Sequence, residues 1–318
     1  MKETQVTKRA DLFAAFGIGI TLSLLALTLI LSEQASEAAR KGIVLCGRTL
    51  LPAVFPFLVL NGMLLRLGFP EWIGRKIGKP LGWLFGIHPD CVAAILVGLC
   101  SGFPAGAAVA HRICQRGQGT DRDRRRTVLL SSLAAPGFLI AGVGEGMFHD
   151  PYLGLLLYLF QIVAAFSIGL FDVLLFGRPP SSVPLTSPTL GERRLFSALA
   201  ASLKESADAM VGICGAVIFF SALSGMLGLL PLSAPLLCLG VCLLEITAGT
   251  SLAATLLPFP QAFVLVAAAI GWSGISVHAQ TVMVTEGELK VAPYLLSKCL
   301  MACLTAILAS AALLLGIV

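Results

Sequence analysis

The stretch GLCSGFPAGA, residues 98–107, lies inside a run from Cys91 to Ala110 that carries no charged residue. A run of that length can cross a bilayer as a helix. Its centre nevertheless holds Ser101, Pro104 and the glycines 98, 102 and 106. Glycine and proline free backbone groups from the helical ladder, and lipid cannot satisfy them. Such a break at membrane depth is tolerated where protein buries it or where it lines a cavity.

The rest of the chain fits a membrane setting. Of 318 residues, 57% are hydrophobic and 12% charged, about half the charge of a soluble domain. Further uncharged runs cover 12–32, 127–144, 151–171, 209–244, 246–285 and 299–318. Several are long enough to span, so the fold class is an all-α polytopic membrane protein. The apolar run 12–32 exceeds a cleavable signal core and is taken as an uncleaved first span.

Nine cysteines occur without any C-x-x-C pair, which suits packing residues rather than metal or redox centres. No cofactor or metal is expected. Arg112, Arg116, Arg122, Arg124, Arg125 and Arg126 share one loop. Beside apolar segments, such a loop marks the cytoplasmic face rather than a nucleic-acid site.

The chain divides as follows. Residues 1–48 are an anchor and charged connector, and 49–176 a first repeat with a re-entrant hairpin at 91–111. Residues 177–194 (GRPPSSVPLTSPTLGERR) form a linker, and 195–318 a second repeat with a hairpin at 260–285. Glu71–His88, with Trp72, Trp83 and three basic residues, suits an interfacial helix. LNGML (60–64) echoes LSGML (223–227), and Ser101-Gly102 echoes Ser273-Gly274. Basic-residue placement makes the two repeats inverted, with 286–290 outside and the C-terminus inside. Matched breaks in inverted halves point to a transporter's binding site.

SGFPAGA (101–107), AAPGFLIAGVGEGMF (134–148), LLEITAG (243–249) and GWSGISVHAQ (271–280) resemble the pattern of YlbJ-type (SpoVV) sporulation integral membrane proteins. These belong to the nucleoside-recognition or gate superfamily. The likeness runs over about residues 42–317. It implies a role in spore formation, moving dipicolinic acid across the outer forespore membrane from the mother cell. It also implies a plan similar to concentrative nucleoside transporters. In that family asparagines are common before the proline matching Pro136. Here SSLAAP leaves Ser131 and Ser132 as the local polar side chains.

The candidate substrate residues are Ser101, Gly102, Pro104 and Gly106 at one break and Ser273, Gly274, Ser276, His278 and Gln280 at the other, with Ser132 between. Helix-end N–H groups and hydroxyls favour an anion. Glu245 is the one acidic residue between 209 and 285. It is the candidate coupling group, with a helix-capping role as the alternative. No Lys or Arg is expected near the breaks. The GWSG serine resembles the short motif of rhomboid-like proteases, yet no histidine follows His278. No catalytic residues are therefore assigned, and no enzyme is expected. The expected partners are a small-molecule anion and the bilayer, with homo-oligomerisation left open. A nucleoside-type carrier and a non-transporting gate or scaffold component of a sporulation membrane complex are the alternatives.

Overall fold

A computed structural model describes residues 2–178 and 195–318; nearly all of the expected linker and the basic pair at 193–194 lie outside that set. Among the described residues every regular element is helical. The protein is a polytopic α-helical integral membrane protein. Helix α1 (Lys2–Ile30) turns by 96° into α2 (Ser32–Leu45). From Ser32 the chain stays helical through a π-turn at 46–50 into α3 (Leu51–Arg66). The charged connector expected before the second span is thus the first half of a long helix. That helix packs antiparallel to α11 (Leu195–Leu227). Small residues allow the approach, since a Cβ on Gly42 would lie 3.0 Å from Ser221 and one on Gly62 3.0 Å from Ser202.

At Gly68 (φ 88°) the chain bends by 68° into α4 (Phe69–Ile73), a second π-turn and α5 (Lys79–Phe85). Trp72 and Trp83 are exposed on this segment, as an interfacial helix requires. Two short helices follow, α6 (Val92–Ser101) and α7 (Ala105–Gln115), packed against each other. At 1.5 Å per residue each is about 15 Å long, half the hydrocarbon thickness. The pair folds back on itself, with its tip at 102–104.

Helix α8 (Asp121–Ser131) opens on a capping box from Thr120 and Asp123. It unwinds over 132–135, and the chain resumes as a π-helical turn from Phe138 into α9 (Gly146–Phe148). Helix α10 (Pro151–Phe176) completes the first half. In the second half α12 (Ala234–Leu244) and α13 (Ile246–Leu256) form another packed pair of half-length helices. Helices α14 (Phe259–Trp272) and α15 (Ile275–Val284) follow one another as a single broken span, and α16 (Val291–Leu314) ends the fold. Of the apolar window of 259–284, 67% is buried, against 28–33% for α10, α11 and α16. The broken helix is the centre of the bundle.

This arrangement moves the second helix pair. The sequence expectation placed a hairpin at 260–285, whereas the packed pair is 234–256 and 259–284 runs through. Glycine and serine mark both kinds of break, so composition alone does not separate a returning pair from an interrupted span. The order of elements is nonetheless repeated as helix pair, broken helix and long helix. LNGML and LSGML do sit alike, each near the end of the helix before its repeat. Ser101-Gly102 and Ser273-Gly274 do not, because the first is a tip and the second a break.

The sides also change for the C-terminal part. One face gathers Arg112 bonded to Glu205 (2.8 Å), Arg125 to Asp172 (2.8 Å), Gln115 to Glu286 (3.1 Å), and Arg124 paired with Glu288. Residues 286–290 thus share the arginine face, which the basic excess assigns to the cytoplasm. Helix α16 runs away from it. Leu313 and Val318 pack in the opposite core with Phe148 and Phe263. The two pairs still lie at opposite ends of the bundle, while the C-terminal helix ends on the face opposite the arginines rather than on theirs. The first pair packs in the arginine-side core and the second in the opposite core.

Candidate functional site

Each helix-pair tip presses on the break of its own half. At the first, Phe103 donates its N–H to Leu133 O (2.7 Å). Gly102 takes φ 73°, and a Cβ there would lie 2.5 Å from Ala135 N. Pro104 is buried one residue before α7. Gly106 meets Ser131 and Gly98, the close helix contact of small residues. At the second, Ser273 and Gly274 take φ 79° and 83°. A Cβ on Gly274 would lie 3.1 Å from Ile246 N at the tip of the other pair.

Two carriers of polarity hold these junctions. Gln161 on α10 donates to Ala134 O (2.8 Å) and accepts from Ala134 N (2.9 Å), so the unwound backbone is satisfied inside the bundle. Glu245 occupies the second tip. Its carboxylate accepts from Thr247 N (3.1 Å) and Ala248 N (2.7 Å), capping α13. It is 2% exposed.

Between the two tips lies a cavity of about 550 Å³. Ser101 and Phe103 from the first tip, Ala135–Gly137 from the unwound segment, and Ile246 and Thr247 from the second tip line it. Leu50 of the preceding π-turn and Val54 and Phe57 of α3 line its side. Two helix starts, at 136–138 and at 246, lie in that lining; helix N-termini carry partial positive charge. A smaller crevice of about 310 Å³ opens at the arginine face between Arg112, Glu205 and Glu286 and reaches Asn61. Asn61 donates to Ser101 Oγ (3.0 Å). That bond stands between the two spaces.

The remaining candidates lie on the far side of the breaks. Ser132 O and Ser273 Oγ both accept from the Lys298 ammonium, at 2.5 and 3.1 Å. His278 contacts the Tyr294 hydroxyl (3.2 Å) and stands edge-on to Trp272, with centroids 4.4 Å apart. Gln280 donates to Ser276 Oγ (3.3 Å), both buried. Of the substrate candidates only Ser101 lines the cavity. Among the described residues no three His, Cys, Asp or Glu side chains gather to hold a metal ion.

A buried cation at the breaks was not anticipated. Lys298 is fully buried in the third turn of α16, one residue before the uncharged run 299–318. Its signal was legible: Tyr294, Lys298, Met301 and Thr305 recur at helical spacing and are all buried. Asn61 and Gln161 carried a similar signal, as amides in otherwise apolar spans.

Comparison with known proteins bears out the resemblance carried by the motifs. Residues 48–148 match the family model described as Gate, nucleoside recognition. The chain is also similar to the sporulation integral membrane protein YlbJ of Bacillus subtilis (strain 168), 24% identical over 312 residues. That match covers 86% of this chain and 76% of the relative. No solved structure matches the chain.

Proposed function

From this kinship with a sporulation membrane protein, we propose that the protein is a carrier rather than an enzyme. It would move a small organic anion across the outer forespore membrane, with dipicolinate as the substrate. The observation that carries the reading is the cavity shared by both helix-pair tips and the unwound segment 135–137. Its volume falls in the range of small-molecule sites. Phe57, Phe103 and Phe138 supply apolar walls for a planar ring. Helix starts and the Ser101 hydroxyl supply donors for carboxylates. Broken helices of two inverted halves, meeting at mid-membrane, build the single site that movement of one half against the other exposes to each side in turn. The Asn61–Ser101 bond would be the barrier on the cytoplasmic side. Ser132, Ser273, Ser276, His278 and Gln280 would hold the breaks behind the cavity. Glu245 would fix the second tip.

The test is uptake of labelled dipicolinate by vesicles containing only this protein. Uptake should be saturable and inhibited by pyridine or benzene dicarboxylates. The match to a nucleoside-recognition model favours one other reading, a nucleoside-type carrier. Inhibition by uridine, with none by dicarboxylates, would replace the anion reading with it.

A further inference from the structure

Lys298 is a fully buried basic group at the meeting point of the two breaks. Its Nζ donates to Ser132 O and Ser273 Oγ and lies 3.9 Å from Met301 Sδ. Among the described residues no carboxylate pairs with it. The titratable side chains around it are His278 from α15 and Tyr294, one turn earlier on α16. A buried ammonium at membrane depth costs several kcal/mol. A hydrogen-bonding strut between two oxygens could be made by a neutral side chain. A group able to carry a charge there calls for a further reason.

The oxygens give that reason. One is a main-chain carbonyl freed by the break in the first half. The other is a hydroxyl at the break in the second half. Unwound carbonyls at helix breaks are the ligands with which transporters bind Na⁺, and hard monovalent cations take oxygen donors. In this protein the ammonium stands among those donors. It is fixed by a side chain from a third helix that joins both halves. We infer that Lys298 is a tethered cation at the meeting point of the two breaks, in the place of a dissociable monovalent ion. The protein therefore needs no Na⁺ to hold this junction together. Only the transport consequence rests on the carrier reading; the site itself belongs to the fold.

The experiment is thermal melting of the purified full-length protein in detergent, in NaCl, KCl or choline chloride at equal ionic strength. No substrate is present, so the result stands apart from whether dipicolinate is carried. Wild type should melt alike in all three salts. Lys298→Ala, which leaves room for an ion, should melt lower in choline by about 5 °C or more and regain part of the loss in NaCl or KCl. Lys298→Met, which fills the space without a charge, should be lowered and regain nothing. A wild type stabilised by Na⁺ over choline would overturn the inference. So would a Lys298→Ala melting point lowered equally in every salt, which would make the residue a strut. If Lys298→Ala does not yield folded protein, Ser273→Ala reads the same site. With the lysine retained, its loss of stability should be the same in all three salts, and recovery in NaCl would overturn the assignment.

Discussion

The two tip–break junctions do the same job with different chemistry. In the first half the break is long, 132–135; Gln161 satisfies Ala134 from α10, and Lys298 reaches only its first carbonyl, Ser132 O. In the second half the break is two residues, Ser273 and Gly274, and charges flank it: Glu245 on one side and Lys298 on the other. A long break leaves backbone facing the cavity, and its Ala135–Gly137 wall is the outcome. A short, charge-flanked break is packed shut: Ser273 is fully buried and lines no part of that cavity. The difference teaches that the first half supplies the surface a ligand would meet. The second half supplies the charges that fix the frame.

The most decisive way to break this comparison is to ask whether the junctions really approach from opposite faces. Cysteines placed at Gly117 and Gly287, both in open space, should label from the cytoplasm in a cysteine-free background. A cysteine at Gly316 should label only from outside. The outcome is all or none, and external labelling at 287 would undo the shared arginine face.

Next in size is the pair of tip glycines. Gly102→Ala meets backbone at 2.5 Å and a positive φ. It should cost about 3–4 kcal/mol, from strain and overpacking together. Gly274→Ala meets backbone only at 3.1 Å and should cost about 1–2 kcal/mol, chiefly the conformational part. Melting of the two purified variants measures both, and equal losses would erase the asymmetry.

The clamps should differ too. Gln161→Leu leaves the Ala134 N–H and C=O buried and unpaired, at about 2–3 kcal/mol. Glu245→Gln keeps an oxygen for the cap and should lose about 1 kcal/mol. A larger loss for Glu245→Gln than for Gln161→Leu would mean that the carboxylate's charge, beyond its cap, holds the second junction.

The smallest expected effect sharpens the cavity boundary. Asn61→Ala removes one hydrogen bond in a membrane interior, worth about 0.6 kcal/mol, so the melting point should scarcely move. If the Asn61–Ser101 bond closes the cytoplasmic side, the same variant should change the rate of dipicolinate uptake several-fold. An unchanged rate would remove it from the gate.

Composition, run length and broken spans determined much by themselves. The helical membrane class follows because the hydrocarbon admits few backbone solutions and a long apolar helix is one of them. The tip at 102–104 was legible because glycine and proline cannot continue a helix cheaply. The interfacial stretch 71–88 was legible from its mixture of tryptophan and basic residues. The tertiary structure alone decided which break belongs to a returning pair. Ser101-Gly102 and Ser273-Gly274 read alike in one dimension, and what separates them is whether the flanking helices pack on each other. It decided between the two roles open to Glu245, whose carboxylate caps α13 through two N–H groups. It also brought Lys298 to two oxygens 166 and 25 residues away. A charge in an apolar run announces that it needs partners. Which partners it finds depends on where the breaks in other helices stop, and that is fixed only when the bundle packs.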